Sequence, residues 1–154
     1  MPEPIAFPST TPLLGMPLLI PGQAQKEFFI NKSVGLLDAL SMGVVKASRS
    51  SPPDDAEESD CYRITKPATG LWVEQDDSLA VRIGGGWHFV APFSGMRVFD
   101  QTEGHLIVFR SQWESAPQPS TPAAGTTIDT EARAAIVDLI QSLQMLGMFT
   151  QEPL

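Results

Sequence analysis

Residues 61–113, CYRITKPATGLWVEQDDSLAVRIGGGWHFVAPFSGMRVFDQTEGHLIVFRSQW, decide the fold. Short runs rich in β-branched and aromatic residues (CYRIT, LWVEQ, LAVRI, WHFV, MRVF, HLIVF) are separated by ATG, DD, GGG, PFSG and DQTEG. Short strands broken this regularly by turn residues predict a small antiparallel β domain. Gly84, Gly85 and Gly86 lie between two apolar runs and allow a hairpin turn with positive φ. LAVRIGGGW (79–87) and LIVFRSQW (106–113) form a faint repeat of apolar strand, turn and tryptophan, which predicts two hairpins of similar build.

Toward the N-terminus, SSPPDDAEESD (50–60) places Asp54, Asp55, Glu57, Glu58 and Asp60 together with no base between them. This run reads as a solvated loop. A cation site needs ligands held by a defined turn, which two prolines followed by an acidic run do not supply. Val44–Arg49 reads as a short strand. Residues 23–41 read as a helix: Ile30, Val34, Leu37 and Leu40 recur at 4, 3 and 3, predicting that they lie on the domain core. Gly22 precedes it and Gly43 follows it. Residues 1–22 hold six of the fourteen prolines, so the segment is extended. It is also apolar through Leu13, Leu14, Leu18 and Leu19. Such an arm either packs on its own domain or docks on a neighbour, and the sequence leaves both open.

Toward the C-terminus, residues 115–128 open with SAPQPSTPAAGTT and read as a linker. A helix follows over 129–149, capped by Asp129 or Thr130, with Glu131 in its first turn meeting the helix dipole favourably. Ala132, Ile136, Leu139, Leu143 and Leu146 recur at 4, 3, 4 and 3, a heptad seam. Gly147 reads as its stop. The seam and the linker favour pairing with copies or a partner over folding back. The expected fold is therefore mainly β with flanking helices (α+β): an arm (1–22), a helix plus small β domain (23–114), a linker (115–128) and a C-terminal helix (129–149).

Composition narrows the function. The chain has 154 residues, 42% hydrophobic and 18% charged, a balance that argues against global disorder. Its net charge of −8 disfavours duplex DNA and anionic membrane surfaces, because both need basic side chains. One cysteine, Cys61, allows no internal disulfide and fits assembly in a reducing cytoplasm. No apolar run is long enough for a transmembrane helix, and the proline-broken start carrying Glu3 is not a signal peptide.

Reactive groupings are missing from the pattern. His88 and His105 both fall in predicted strands and read as structural, and Cys61 at a strand start reads as a small buried residue. One Cys and two distant His do not make a zinc site. The GGG run is followed by a strand, not by a helix that would cradle phosphate. Asp76, Asp77, Asp100 and Glu103 sit in turns, where acids serve turn geometry. No catalytic site, cofactor or metal is expected. Trp72, Trp87 and Trp113 lie close to turns and read first as core fillers. The alternative is a stacking platform for sugar rings or an interface hot spot.

Thr11–Leu40, TPLLGMPLLIPGQAQKEFFINKSVGLLDAL, resembles the opening of an uncharacterised phage domain family. That family occurs in tail-fibre and head-spike proteins of prophages and gene transfer agents of alphaproteobacteria. The matching residues are Gly22-Gln23-Ala24-Gln25-Lys26-Glu27, Asn31 and Leu37-Asp38-Ala39-Leu40. Further on, Asp60–Ile64, Ala68–Trp72 and Gly85–Pro92 are similar to the family's later motifs, so the likeness spans about residues 11–113. Cys61 stands where the family usually has Arg, and the 50–60 loop is more acidic. The family offers no functional residue to carry over. The resemblance implies a non-enzymatic virion protein, assembled in the bacterial cytoplasm and released by lysis. Its short length suits an adaptor or head-spike base, one end on a capsid or tail protein and the other on a spike or fibre. A homo-oligomer is implied, a pentamer at a capsid vertex or, for a tail-fibre component, a trimer. Host polysaccharide would be reached through the fibre, without nucleic-acid binding or membrane insertion. A tail-fibre module that binds capsular polysaccharide directly is the other reading.

Overall fold

The computed structural model describes residues 9–12, 16, 18, 19, 22, 26–121 and 129–150. They form a mainly β protein with two helices: α1 (Lys26–Ser41), β1 (Val44–Val45), β2 (Ser48–Arg49), β3 (Cys61–Ile64), β4 (Leu79–Ile83), β5 (Gly86–Val90), β6 (Arg97–Asp100), β7 (His105–Phe109), β8 (Trp113–Ser115) and α2 (Thr130–Met145). Two compact units divide the chain, one ending at Pro92 and the other beginning at Phe93.

In the first unit the sheet runs β2-β3-β4-β5. β3–β4 and β4–β5 are antiparallel, as the runs predict, but β2 and β3 are parallel. A parallel pair needs a long crossover, and residues 50–60 provide it. The acidic stretch is therefore not wholly a solvated loop. Asp60 is buried; it accepts hydrogen bonds from Glu57 N (2.9 Å) and the Tyr62 hydroxyl (3.2 Å), and pairs with Lys46 Nζ at 2.7 Å. The β4–β5 hairpin turns on Gly84 and Gly85 at φ +59° and +75°, a two-residue loop that matches the twist of its strands.

LWVEQ is not a strand. Gly70–Trp72 forms one 3-10 turn, and Gly70, Glu74 and Asp77 all have positive φ, which breaks an extended run. Leu71 and Val73 point to solvent while Trp72 is 0% exposed, so the run supplies one deep anchor and no ladder. Trp72 belongs to the core of Tyr62, Ile64 and Ala80, with Trp87 and Phe89 packed against it.

α1 reverses the expected face. Its buried residues are Glu27, Gly35, Asp38 and Ala39, while Ile30 and Leu37 are exposed and Val34 and Leu40 half-buried. The cause is close approach. Gly35 lies so near Ile83 of β4 that a Cβ there would stand 3.3 Å from its Cγ2, and the inward Asp38 carboxylate accepts hydrogen bonds from Thr11 and Ser59 on other segments.

In the second unit β6-β7-β8 form an antiparallel meander. The β6–β7 turn is closed by Asp100, whose Oδ1 accepts from the Thr102 and Glu103 amides, the turn role expected of these acids. β8 extends to Ser115, just inside the expected linker, and residues 122–128 of that linker lie outside the described set. Asp129 caps α2, its Oδ1 accepting from Ala132 N at 2.9 Å.

The far end of α2 folds onto its own unit, the less favoured of the two placements the sequence offers for this helix. Gly147, at φ +68°, is buried; Leu106 N donates to its carbonyl at 2.7 Å, and a Cβ there would stand 2.5 Å from Phe99 Cε2. Thr150 N donates to Ala116 O, and Gln144 Nε2 to Gln118 Oε1.

Candidate functional site

The motif residues of the N-terminal third come together as a clasp. Thr11 Oγ1 donates to Asp38 Oδ1 at 2.8 Å, and Ser59 Oγ donates to Asp38 Oδ2 at 3.3 Å. Asn31 reads the arm through both ends of its amide: Leu19 N donates to its Oδ1 at 2.9 Å and its Nδ2 donates to Leu19 O at 3.0 Å. Gly22 N donates to Glu27 Oε1 at 3.1 Å. The described part of the arm is thus tied to its own α1 by side chains at 27, 31 and 38, spaced to lie on one side of a helix. Leu18 and Leu19, expected at an interface, are half-buried in this arrangement; Leu13 and Leu14 lie outside the described residues.

A pocket of about 540 Å³ opens beside the clasp. α1 lines it with Glu27, Phe28, Asn31, Lys32 and Gly35; the arm adds Thr10–Pro12 and Leu18. Glu58 and Ser59 of the crossover, and Ile83, Gly84 and His88 of the hairpin, complete it. Glu27 is 6% exposed, and its Oε2 finds no hydrogen-bond partner among the described residues. Glu27 and Asn31 belong to the sequence motif, yet the sequence alone assigns them no role, because their partners lie on a segment with no periodic signal.

The tryptophans are placed differently from one another. Trp72 and Trp87 meet edge to face at 5.1 Å, with Tyr62 6.0 Å from both. Trp72, wholly buried, offers no face to a sugar or a partner, which corrects that candidate role. Trp87 is half-buried, with the Arg82 guanidinium 5.3 Å from its ring centroid. Trp113, also half-buried, meets Phe109 edge-on at 5.4 Å.

His105 is buried, with Nδ1 3.1 Å from Glu103 O, and His88 stands in the pocket wall. Burial, reinforced by the charge of Asp60, pushes the Cys61 thiol up to about 12, so the thiolate is disfavoured. Among the described residues no group of three His, Cys, Asp or Glu could hold a metal ion, and no helix is long and apolar enough to cross a membrane.

Both helices leave apolar faces uncovered. On α1, Phe28, Phe29 and Leu37 are 70%, 76% and 59% exposed. On α2 the buried positions are Ile140 and, past its end, Gly147, seven residues on. The seam read from the sequence lies to one side of that stripe: Leu139 and Leu146 are 59% and 69% exposed, Ile136 is exposed and Leu143 half-buried. The apolar surface of α2 is wider than the described residues cover.

No curated protein matches the chain. The family described as Protein of unknown function (DUF2793) matches residues 30–114, a stretch covering α1 from Ile30, every strand of the first unit and nearly all of the second unit's meander. With more than half of its length matched, the chain belongs to that family.

Proposed function

We propose that the chain is a non-enzymatic structural subunit of a phage-like particle: a homo-oligomeric adaptor or base that attaches a spike or fibre and so supports attachment to a host. The observation that supports this most is the uncovered apolar surface on both helices, Phe28, Phe29 and Leu37 on α1 and Ile136, Leu139 and Leu146 on α2. Apolar patches of this kind mark protein contacts. Burying them between copies gains roughly 25 cal/mol for each Å² removed from water. The motif resemblance at Thr11–Leu40 points to the same setting, with a pentameric ring preferred to a trimer. Direct binding of capsular polysaccharide is less well supported, because the rings of Trp72, Trp87 and Trp113 are engaged with neighbouring aromatics.

Sedimentation of the purified chain, alone and as the Leu139→Glu/Leu146→Glu variant, tests the proposal. An oligomer that the double substitution dissolves, with the β signature of the circular dichroism spectrum kept, is the expected result. Loss of the whole fold would instead place the seam in the core, and a monomeric parent chain would remove the adaptor reading.

A further inference from the structure

The pocket beside the clasp has an unmet requirement. Glu27 is almost wholly buried, with one carboxylate oxygen taken by the Gly22 amide and the other without a partner among the described residues. A buried acceptor left unpaired is costly, and the strongest available partners for a carboxylate are ammonium and guanidinium groups. The rest of the wall suits a cation carried on an apolar body. Pro12, Leu18, Phe28 and Ile83 supply hydrocarbon surface, and Glu58 adds a second carboxylate whose Oε1 is held by the Gly84 amide at 2.8 Å. These two acids outnumber the one wall lysine, Lys32, in a chain of net charge −8, so the complementary partner is basic. A volume of about 540 Å³ exceeds what one side chain fills and falls in the range of pockets that take small ligands or short peptide segments.

We infer that this pocket receives a Lys or Arg side chain borne on a short apolar segment of a partner protein, its cationic head meeting Glu27. The choice of a protein as the source rests on the adaptor reading; the chemistry of the pocket does not.

The test is a titration of the ¹⁵N-labelled full chain followed by amide chemical shifts. The probes are acetyl-Leu-Lys-Leu-amide, its norleucine counterpart, which keeps the stem and loses the charge, and n-hexylamine. The lysine peptide is expected to move the amides of Gly22, Asn31, Ser59 and Gly84 and to bind about tenfold or more tighter than the norleucine peptide. Glu27→Gln, which keeps an oxygen for the Gly22 amide, is expected to erase that preference. Equal binding of the two peptides by the unmodified chain, shifts that map elsewhere, or a preference unchanged in the variant would overturn the assignment. The comparison between peptides stands even if the variant does not fold. Hexylamine binding as tightly as the lysine peptide would assign the pocket to small amines and overturn the partner segment. A monomeric solution mass would sink the adaptor reading without altering this titration, so the two failures are distinguishable.

Discussion

Trp72 is the largest fully buried side chain among the described residues, and its ring meets those of both Tyr62 and Trp87. Trp72→Ala should lower stability by about 3–5 kcal/mol in denaturant unfolding, the usual loss for a large buried aromatic. Trp72→Phe should lose less, because it keeps a ring and removes an indole N–H that is buried without a hydrogen-bond partner among the described residues. Beside it, burial and the charge of Asp60 push Cys61 from 9.0 up to about 12 and Tyr62 from 10.0 up to about 12. The unfolded thiol releases its proton near 9.0, while the folded one keeps it until about 12. Between these values the unfolded state binds fewer protons, so stability is full below pH 9 and falls as pH rises through that window. Urea midpoints measured across it should decline, and Cys61→Ala should flatten the first part of the decline. That Cys61 is a small buried residue was legible from its place at a strand start. The inward turn of Glu27, Asn31 and Asp38 was not, because polar residues in a helical pattern read as solvent-facing until the groups that bond them are known.

α1 and α2 show where periodicity informs and where it misleads. Their limits were readable from glycines, a capping aspartate and apolar spacing, and both helices form close to the expected boundaries. Their orientations were not readable. α1 presses small and polar side chains on β4 because Gly35 permits close approach and the arm supplies hydrogen bonds, while its apolar spacing faces out. The LWVEQ run failed for a related reason: apolar composition suited a strand, but positive φ at Gly70 and Glu74 turned it into a loop around one anchor. Asn31→Ala should release the arm, losing hydrogen-exchange protection at the Leu19 amide with α1 intact, for about 1–3 kcal/mol. In α2, Asp129→Ala should cost about 1 kcal/mol of helix stability. Gly147→Ala should be the worse change, because φ +68° disfavours any side chain and its Cβ would press on Phe99. Thermal melts of the two variants, read against the parent, rank these effects.

For the whole molecule, the mainly β architecture with two flanking helices followed from the spacing of short apolar runs and turn residues between 61 and 113. The division at Pro92/Phe93 did not, because APFSG looks like any other turn between strands. The sequence left the arm free to pack on its own domain or on a neighbour, and favoured pairing with another chain for the C-terminal helix. The described arm is clasped by α1 and the end of α2 is fastened through Gly147, while each helix keeps an exposed apolar face, with Phe28, Phe29 and Leu37 on α1 and Ile136 and Leu139 on α2. Assembly through those faces is what equilibrium sedimentation of the full chain at micromolar concentration measures. The expected mass is a whole multiple of 16.7 kDa, five-fold for the favoured ring, falling to 16.7 kDa in the Leu139→Glu/Leu146→Glu variant. A parent chain that sediments at 16.7 kDa across the concentration range, with the variant indistinguishable from it, would rule out assembly through the helices.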